Sequence, residues 1–279
     1  MKKPKAGSAT AYPRAHFVDN SGPNLINVIK QNPLATLIYC DANGKIHISH
    51  IPFHFQQPWQ VNDESCINQQ ILVAHISNHH PLAVQLNRQQ VYQSVKESNN
   101  NTSIKLIFHG ENDYISPNDI AFTHRQLNPV PSWNYVNVHL EGKVSVIGET
   151  QQKLQQILDS SEYFEHRHTL LNSTSLTNTS LKNTVKDNTV KNDKVTNSTH
   201  GVKNSEEQSR WSPHSLSNKA IKQSIIPMLN AITFFKLTIQ TCEGRFKLSQ
   251  NKPRVVREDI ATQLRKRQKH GLADFIYEG

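Results

Sequence analysis

The chain reads as mainly β with flanking helices, an α+β protein whose sheet is made of short antiparallel strands. Three observations predict this. Residues 136–147 alternate apolar and polar side chains, the longest strand signal present. Leu34–Cys40 is apolar and β-branched, and Asp41-Ala42-Asn43-Gly44 follows it as a hairpin turn, because Asn-Gly accepts positive φ. Helical spacing, by contrast, is confined to a few segments between and after the strand signals.

Taken in order, Asn24–Gln31 predicts a short helix with Leu25, Ile26, Val28 and Ile29 on one face and Pro33 as its stop. After the Leu34–Cys40 strand and its turn, Lys45–Phe55 alternates. Ile46, Ile48 and Phe53 are expected on one side, and His47, His50 and His54 fall in the same run. Ile71–Ile76 is a further apolar strand, and residues 81–86 start a short helix. Ile104–Phe108 and Tyr114-Ile115 continue the sheet. Gly142 marks a bulge within the long strand. Glu149–His166 predicts a helix with Leu154, Ile157, Leu158 and Phe164 on one face. Residues 220–229 are helical with an interruption near Pro227, and Ala231–Ile239 is a strand. Arg254–Lys269 is a basic helix that Gly271 ends.

The character changes after His168. No aromatic residue occurs from Leu170 to Arg210, and 19 of the 34 residues from Asn172 to Ser205 are Asn, Ser or Thr. Asn183-Thr184-Val185-Lys186 recurs as Asn188-Thr189-Val190-Lys191. Such a segment buries too little apolar surface to offset the entropy of ordering it. The expected organisation is a barrel-forming part over 1–168, a disordered low-complexity insertion over 169–210, and a completing part over 211–279.

With 279 residues and net charge +9, the chain is basic, with a pI near 9.4. That balance favours anionic partners: nucleic acid, phosphate-bearing cofactors or acidic surfaces. Cys40, Cys66 and Cys242 are odd in number and far apart, which argues against a disulfide scaffold or zinc ribbon and fits a reducing cytoplasm. The charged start Met1-Lys2-Lys3-Pro4-Lys5 has no apolar run behind it, so no signal peptide and no membrane span is expected.

GxSxG, Walker, GxGxxG and HExxH motifs are all missing from the sequence, and no Cys or carboxylate completes a metal set around the 15 His residues. No metal is expected, and no catalytic residue is assigned. Two islands stand apart: Val130-Pro131-Ser132-Trp133-Asn134-Tyr135 and Lys247-Leu248-Ser249-Gln250-Asn251. Read alone, they are a strand-opening Trp and a polar turn. As chemistry, Lys247, Ser249, Gln250 and Asn251 suit a phosphate cradle. Trp133 suits an aromatic wall, and Asn134 a hydrogen-bonding partner.

Together and in this order the islands resemble the PaiB family, the FMN-binding, negative-transcriptional-regulator-type proteins of bacteria. Tyr12-Pro13-Arg14-Ala15-His16-Phe17, Asn32–Leu37, Ser49–Phe53, Leu72–Ile76, Phe108-His109-Gly110, Tyr114–Pro117 and Met228–Ile232 extend the resemblance along most of the chain. The resemblance implies an FMN-binding split β-barrel, of the type also used by pyridoxamine-phosphate-oxidase-like proteins. It further implies a homodimer with flavin at the subunit interface. His50, His75 and Ser116 lie in strands and loops the family shares, and with Trp133, Asn134, Lys247, Ser249, Gln250 and Asn251 they form the expected FMN set.

Three departures fall in loops that could touch a flavin: Ser77 near the place of an Arg, Glu111 in place of a Pro, and Asn118-Asp119 in place of an aromatic pair. Two other readings therefore stay open beside a regulator. One is a flavin-dependent oxidoreductase of the split-barrel class, and the other is a flavin-free binding module. If the protein is a regulator, the basic Arg254–Lys269 helix is the expected DNA contact, since no helix-turn-helix signature is present.

Overall fold

The computed structural model describes residues 15–57, 67–93, 103–183, 212–217, 219 and 221–278. The Tyr12-Pro13-Arg14 motif, Cys66 and residues 184–210 of the expected insertion lie outside them. The described chain divides into two compact units, one within 1–147 and 233–279, the other within 148–232.

The first unit is built on an eight-stranded sheet. In chain order its strands are β1 (Val18–Asp19), β2 (Leu34–Cys40), β3 (Ile46–Pro52), β4 (His54–Phe55), β5 (Ile71–Ser77), β6 (Ser103–Ile115), β7 (Ser132–Ile147) and β8 (Ile232–Lys247). The spatial order is β3-β2-β6-β7-β8-β5-β4, with β1 added to β8. Each pair with a defined register is antiparallel. Because β4 follows directly on β3 and pairs with β5, the two ends of the strand path approach each other, and the sheet curls like a barrel. This is the mainly β architecture with flanking helices that the sequence predicts. Its helices are α1 (Gly22–Gln31), α2 (Pro81–Gln93), α5 (Arg254–Lys266) and α6 (His270–Glu278).

One face of the sheet carries the core. Leu37, Phe53, Leu106, Phe108, Val138, Phe235 and Leu237 are fully buried there. Phe53 meets Phe108 and Phe235 edge-on, at centroid distances of 6.4 and 5.8 Å. All four helices feed the same cluster, through Leu25, Leu82, Val256 and Leu272. In α5 the buried Val256, Ile260 and Leu264 recur every four residues, so its basic residues take the other face.

Local chemistry explains the joints. Asp41 Oδ1 accepts from the Asn43 and Lys45 backbone N–H groups at 2.9 and 3.0 Å, and Gly44 takes φ +80°, so β2 and β3 meet in the expected turn. The β7–β8 register shifts between Glu141 and Gly142, the bulge anticipated at Gly142. A Cβ there would stand 2.5 Å from the Thr238 carbonyl oxygen, which only glycine avoids.

Several boundaries differ from the sequence expectation. Ile46 and Ile48 do not share a side with Phe53. They point outward, 66% and 64% exposed, whereas Ile51 and Phe53 point into the core. The alternation runs unbroken from Ile46 through Pro52 to Phe53, so odd-numbered Ile51 and Phe53 face opposite to even-numbered Ile46 and Ile48. The two strand pieces at Ile104 and Tyr114 are one strand, β6, kinked by a register shift between His109 and Asn112. Gly271 does not end the basic helix. That helix stops at Lys266, and Gly271 lies in the first turn of α6.

The second unit contains α3 (Thr150–Asn183), a 3₁₀ turn at Pro213–Ser215, a π-helical turn at Ile221–Ile225 and α4 (Ile226–Leu229). The predicted Glu149–His166 helix thus runs on to Asn183, so residues 169–183 of the expected disordered insertion are helical.

Candidate functional site

The sheet face turned away from the core is where the chemistry gathers. Along β7 every second residue from Trp133 faces outward: Trp133, Tyr135, Asn137, His139 and Glu141. On β8 the register places Lys247 beside Tyr135, Arg245 beside Asn137 and Glu243 beside His139. On β6 it places Tyr114 beside Trp133 and Asn112 beside Tyr135. The Trp133 and Tyr114 rings lie 6.0 Å apart, and the indole Nε1 donates to Asn112 Oδ1 at 3.2 Å. Trp133 remains 50% exposed and Tyr114 46%. Two aromatic rings thus stand open beside a lysine, an arginine and two amide side chains.

Further across the same face, Thr36 Oγ1 lies 3.3 Å from His50 Nδ1 and 3.0 Å from His109 Nε2. His139 is pushed down to about 4 by its burial first, and then by the positive field of Arg245. At neutral pH its ring is uncharged.

The nine residues expected to touch FMN separate into two groups. Trp133, Lys247 and Asn251 keep outward or exposed positions around the β7–β8 end of the face, and His50 lies on the same face at β3. The other five are engaged in holding the fold. Asn134 is fully buried and accepts from Ser249 Oγ at 3.1 Å. Its Nδ2 has no partner among the described residues. Ser249 itself takes φ +61° to make this bond. Gln250 accepts from the Leu248 N–H at 2.7 Å and donates to the Phe246 carbonyl, which clamps the turn after β8. Ser116 accepts from the Asn118 N–H at 3.1 Å, while its own N–H donates to Asp119, a capping box on a 3₁₀ turn. His75 packs on Phe234 at 5.2 Å, and burial lowers its pKa. Phe234 is thirteen strand positions from Lys247, roughly 40 Å along β8, so His75 is not gathered with the aromatic pair.

The departures from the family pattern have partners too. Glu111 Oε2 accepts from the Leu272 N–H at 2.9 Å at the start of α6, where a carboxylate is favoured. Asp119 and Asp113 both pair with Arg267, at 3.0 and 2.8 Å. Ser77 Oγ accepts from the His79 N–H at 3.2 Å.

A second histidine contact resembles a nucleophile and base but is wired the other way. Ser49 Oγ and His80 Nε2 are 2.7 Å apart. The Leu82 N–H donates to His80 Nδ1 at 3.1 Å, so the ring proton sits on Nε2 and is donated to Ser49. Burial, aided by His47, keeps the His80 pKa low. Ser49 is therefore not activated. The pair ties β3 to the start of α2 and holds the curl of the sheet.

Sequence reasoning named Trp133 but passed over Tyr114, Tyr135, Asn112 and Arg245. The signal was available: the two-residue period that predicts β7 also fixes which residues stand on the face of Trp133. The β6 and β8 partners needed the register.

Residues 11–241 match the family model described as "Putative FMN-binding domain". The chain belongs to that family. Flavin, as FMN, is the cofactor class this membership brings. No curated protein matches. Among solved structures, the FAD and heme binding protein from Mycobacterium smegmatis is 15% identical, with TM-score 0.44, over 88% of this chain and 80% of that one. The flavocytochrome Anf3 from Azotobacter vinelandii is 12% identical, with TM-score 0.41, over 86% and 74%. A Clostridium acetobutylicum protein related to general stress protein 26 (pyridoxinephosphate oxidase family) is 8% identical, with TM-score 0.34, over 80% and 89%.

FMN needs an anion-binding end and an apolar wall, and the residues on the outward face fit both. Lys247 supplies a cation, beside an Arg245 that Glu243 holds at 2.7 Å, Asn112, Asn137 and Asn251 supply amides, and Trp133 with Tyr114 supplies the ring surface. Among the described residues no cluster of His, Cys, Asp and Glu is arranged to hold a metal ion, and no helix is long and apolar enough to cross a membrane.

Proposed function

We propose that the chain is an FMN-binding regulator of the PaiB type that works as a homodimer in a reducing cytoplasm. The observation that carries this reading is the outward face on which Trp133, Tyr114, Tyr135, Arg245 and Lys247 stand together. Trp133 and Tyr114 hold the isoalloxazine, and Lys247 with Asn251 holds the phosphate. When bound, FMN supplies a ring system that exchanges electrons with a donor. Among the described residues Cys40 and Cys242 form no disulfide, in keeping with a reducing compartment.

In this reading DNA contact falls to α5 and the turn that follows it. Arg254, Arg265 and Arg267 are already paired with Glu258, Asp274 and the Asp113/Asp119 pair. Lys266 and Lys269 remain for phosphate. Fluorescence anisotropy on duplex DNA across a salt series tests this limb. Two phosphate contacts predict a log–log salt slope of about −2, abolished by Lys266→Ala with Lys269→Ala. Salt-independent or absent binding contradicts it. The engaged arginines favour one second reading, a flavin-dependent oxidoreductase. Bleaching of the flavin absorbance by NAD(P)H supports that reading, and its failure removes it.

A further inference from the structure

The end of β6 that carries Tyr114 lies beyond a break in its pairing. Before the break the outward residues of β6 are odd-numbered, Ile107 and His109. The register shift between His109 and Asn112 reverses this. Asn112 and Tyr114 join Trp133 on the outward face, and Asp113 turns to the other side. A bulge re-aims side chains in this way, but it also interrupts the ladder that would hold the strand end in place.

What holds it comes from the far end of the chain. Arg267 reaches two carboxylates at once. Its Nε stands 2.8 Å from Asp113 Oδ2, and its Nη1 and Nη2 donate to the two oxygens of Asp119 at 3.0 and 3.3 Å. Each carboxylate in turn holds the backbone of the strand end. Asp113 Oδ1 accepts from the Tyr114 N–H at 2.9 Å, and Asp119 Oδ2 accepts from the Ser116 N–H at 2.9 Å. One guanidinium therefore fixes, through two acids, the backbone on both sides of Ile115. The Asp113 and Asp119 side chains are only 22% and 12% exposed, so water screens these pairs less than it screens open surface pairs. Arg267 is itself presented by a fixed turn. Gln268 takes φ +62°, and the Lys269 N–H donates to the Leu264 carbonyl at 2.9 Å.

We propose that Arg267 is a positioning residue for the flavin: by bridging Asp113 and Asp119 it fixes the bulged end of β6 and so sets the Tyr114 ring against Trp133. The inference rests on the flavin reading above and adds to it a residue that touches neither the ring pair nor the phosphate end. The path is short and continuous. Arg267 pairs with Asp113, Asp113 holds the Tyr114 N–H, and the Tyr114 ring lies 6.0 Å from that of Trp133. Two contacts from the same helices pin the flanks. The Leu272 N–H donates to Glu111 at 2.9 Å, and Asp259 accepts from the Ala121 N–H at 3.1 Å. Neither reaches the residues next to Tyr114, so that task falls to Arg267. The planar fork matters as well as the charge, because three nitrogens engage two acids at once.

The test is a double-mutant cycle on the full chain, read by FMN titration, with far-ultraviolet circular dichroism recorded on each protein. Arg267→Ala is expected to raise the FMN dissociation constant about fivefold or more. In a Tyr114→Ala background the same substitution should change it by less than about twofold, because the ring it positions is gone. Arg267→Lys keeps the charge but not the fork and should fall between Arg267→Ala and the wild type. Asp113→Asn, which keeps the side-chain oxygen but not the charge that Arg267 meets, should shift FMN affinity in the same direction and serves if Arg267→Ala does not fold. A second reading needs no flavin. Trp133 emission, taken as the difference from Trp133→Phe, should move to longer wavelength in Arg267→Ala as the ring pair loosens. Unchanged FMN affinity in Arg267→Ala overturns the inference and leaves the flavin site standing. Equal factors with and without Tyr114 overturn the route through that ring and make Arg267 a brace of the fold alone. Unchanged Trp133 emission overturns the positioning of the pair. A wild type that binds no FMN while Arg267→Ala still moves the emission overturns the flavin reading, and with it the assignment of Arg267 to flavin.

Discussion

The two faces of one hairpin show how differently the same strands are used. On β2, Ala35, Leu37 and Tyr39 point inward and are buried, while Thr36, Ile38 and Cys40 point outward and are partly or fully open. The inner set is fixed by packing against Phe53, Phe108 and the helices. The outer set keeps exposed isoleucines, a histidine-bridging threonine and, farther along the sheet, an open Trp beside an open Tyr. A strand with both faces satisfied would be structural only. This one has a satisfied face and an available one, and the candidate chemistry is on the available one.

Breaking the inner face should cost most. Phe108→Ala removes a fully buried ring and is expected to lower unfolding stability by about 3–5 kcal/mol in urea titration. On the outward face, Thr241→Ala should stay within about 0.5 kcal/mol of wild type. Similar losses at both positions would erase the contrast. Next in size, Trp133→Ala or Lys247→Ala should weaken FMN binding about tenfold or more, about 1.4 kcal/mol, with the urea midpoint unchanged.

Acid should then act through three partly buried histidines. The His75, His80 and His139 pKa values all lie below the ordinary histidine value, with His139 at about 4. The unfolded chain takes up protons at about 6.5 and the folded chain only lower, so stability is full above that pH and falls between about 6.5 and 4. His139→Gln should flatten the lower part of that fall in urea midpoints measured across the window, and an unaltered profile would assign the loss elsewhere. The smallest effect is expected from Tyr39→Phe. The Tyr39 hydroxyl is buried with no partner among the described residues, so its removal should be neutral or stabilising by up to about 1 kcal/mol. A loss of more than that would reveal a partner for the hydroxyl.

Much of the sheet was legible because its signals are local. The bounds of β2, the Asp41–Gly44 turn and the Gly142 bulge each depend on a few neighbouring residues. The side on which Ile46 and Ile48 lie was not legible, since period two gives parity but not which parity faces the core. The roles of Asn134 and Ser249 were hidden for a different reason. Their bond joins residues 115 positions apart and depends on a left-handed Ser249. Gly271 looked like a helix stop because nothing nearby shows that Glu111, far earlier in the chain, caps the helix containing it. At the candidate site, both islands were visible as composition, but sorting outward Trp133 and Lys247 from inward Asn134 and Ser249 required the register.

The most direct measurement is an FMN titration of the purified chain and of Trp133→Ala and Lys247→Ala, followed by the visible absorption of the bound flavin. The wild type should bind stoichiometrically with a flavin spectrum, and both variants should lose affinity while keeping their far-ultraviolet circular dichroism. A wild type that stays colourless with added FMN, or variants that bind as tightly as it does, would contradict a flavin site on the outward face.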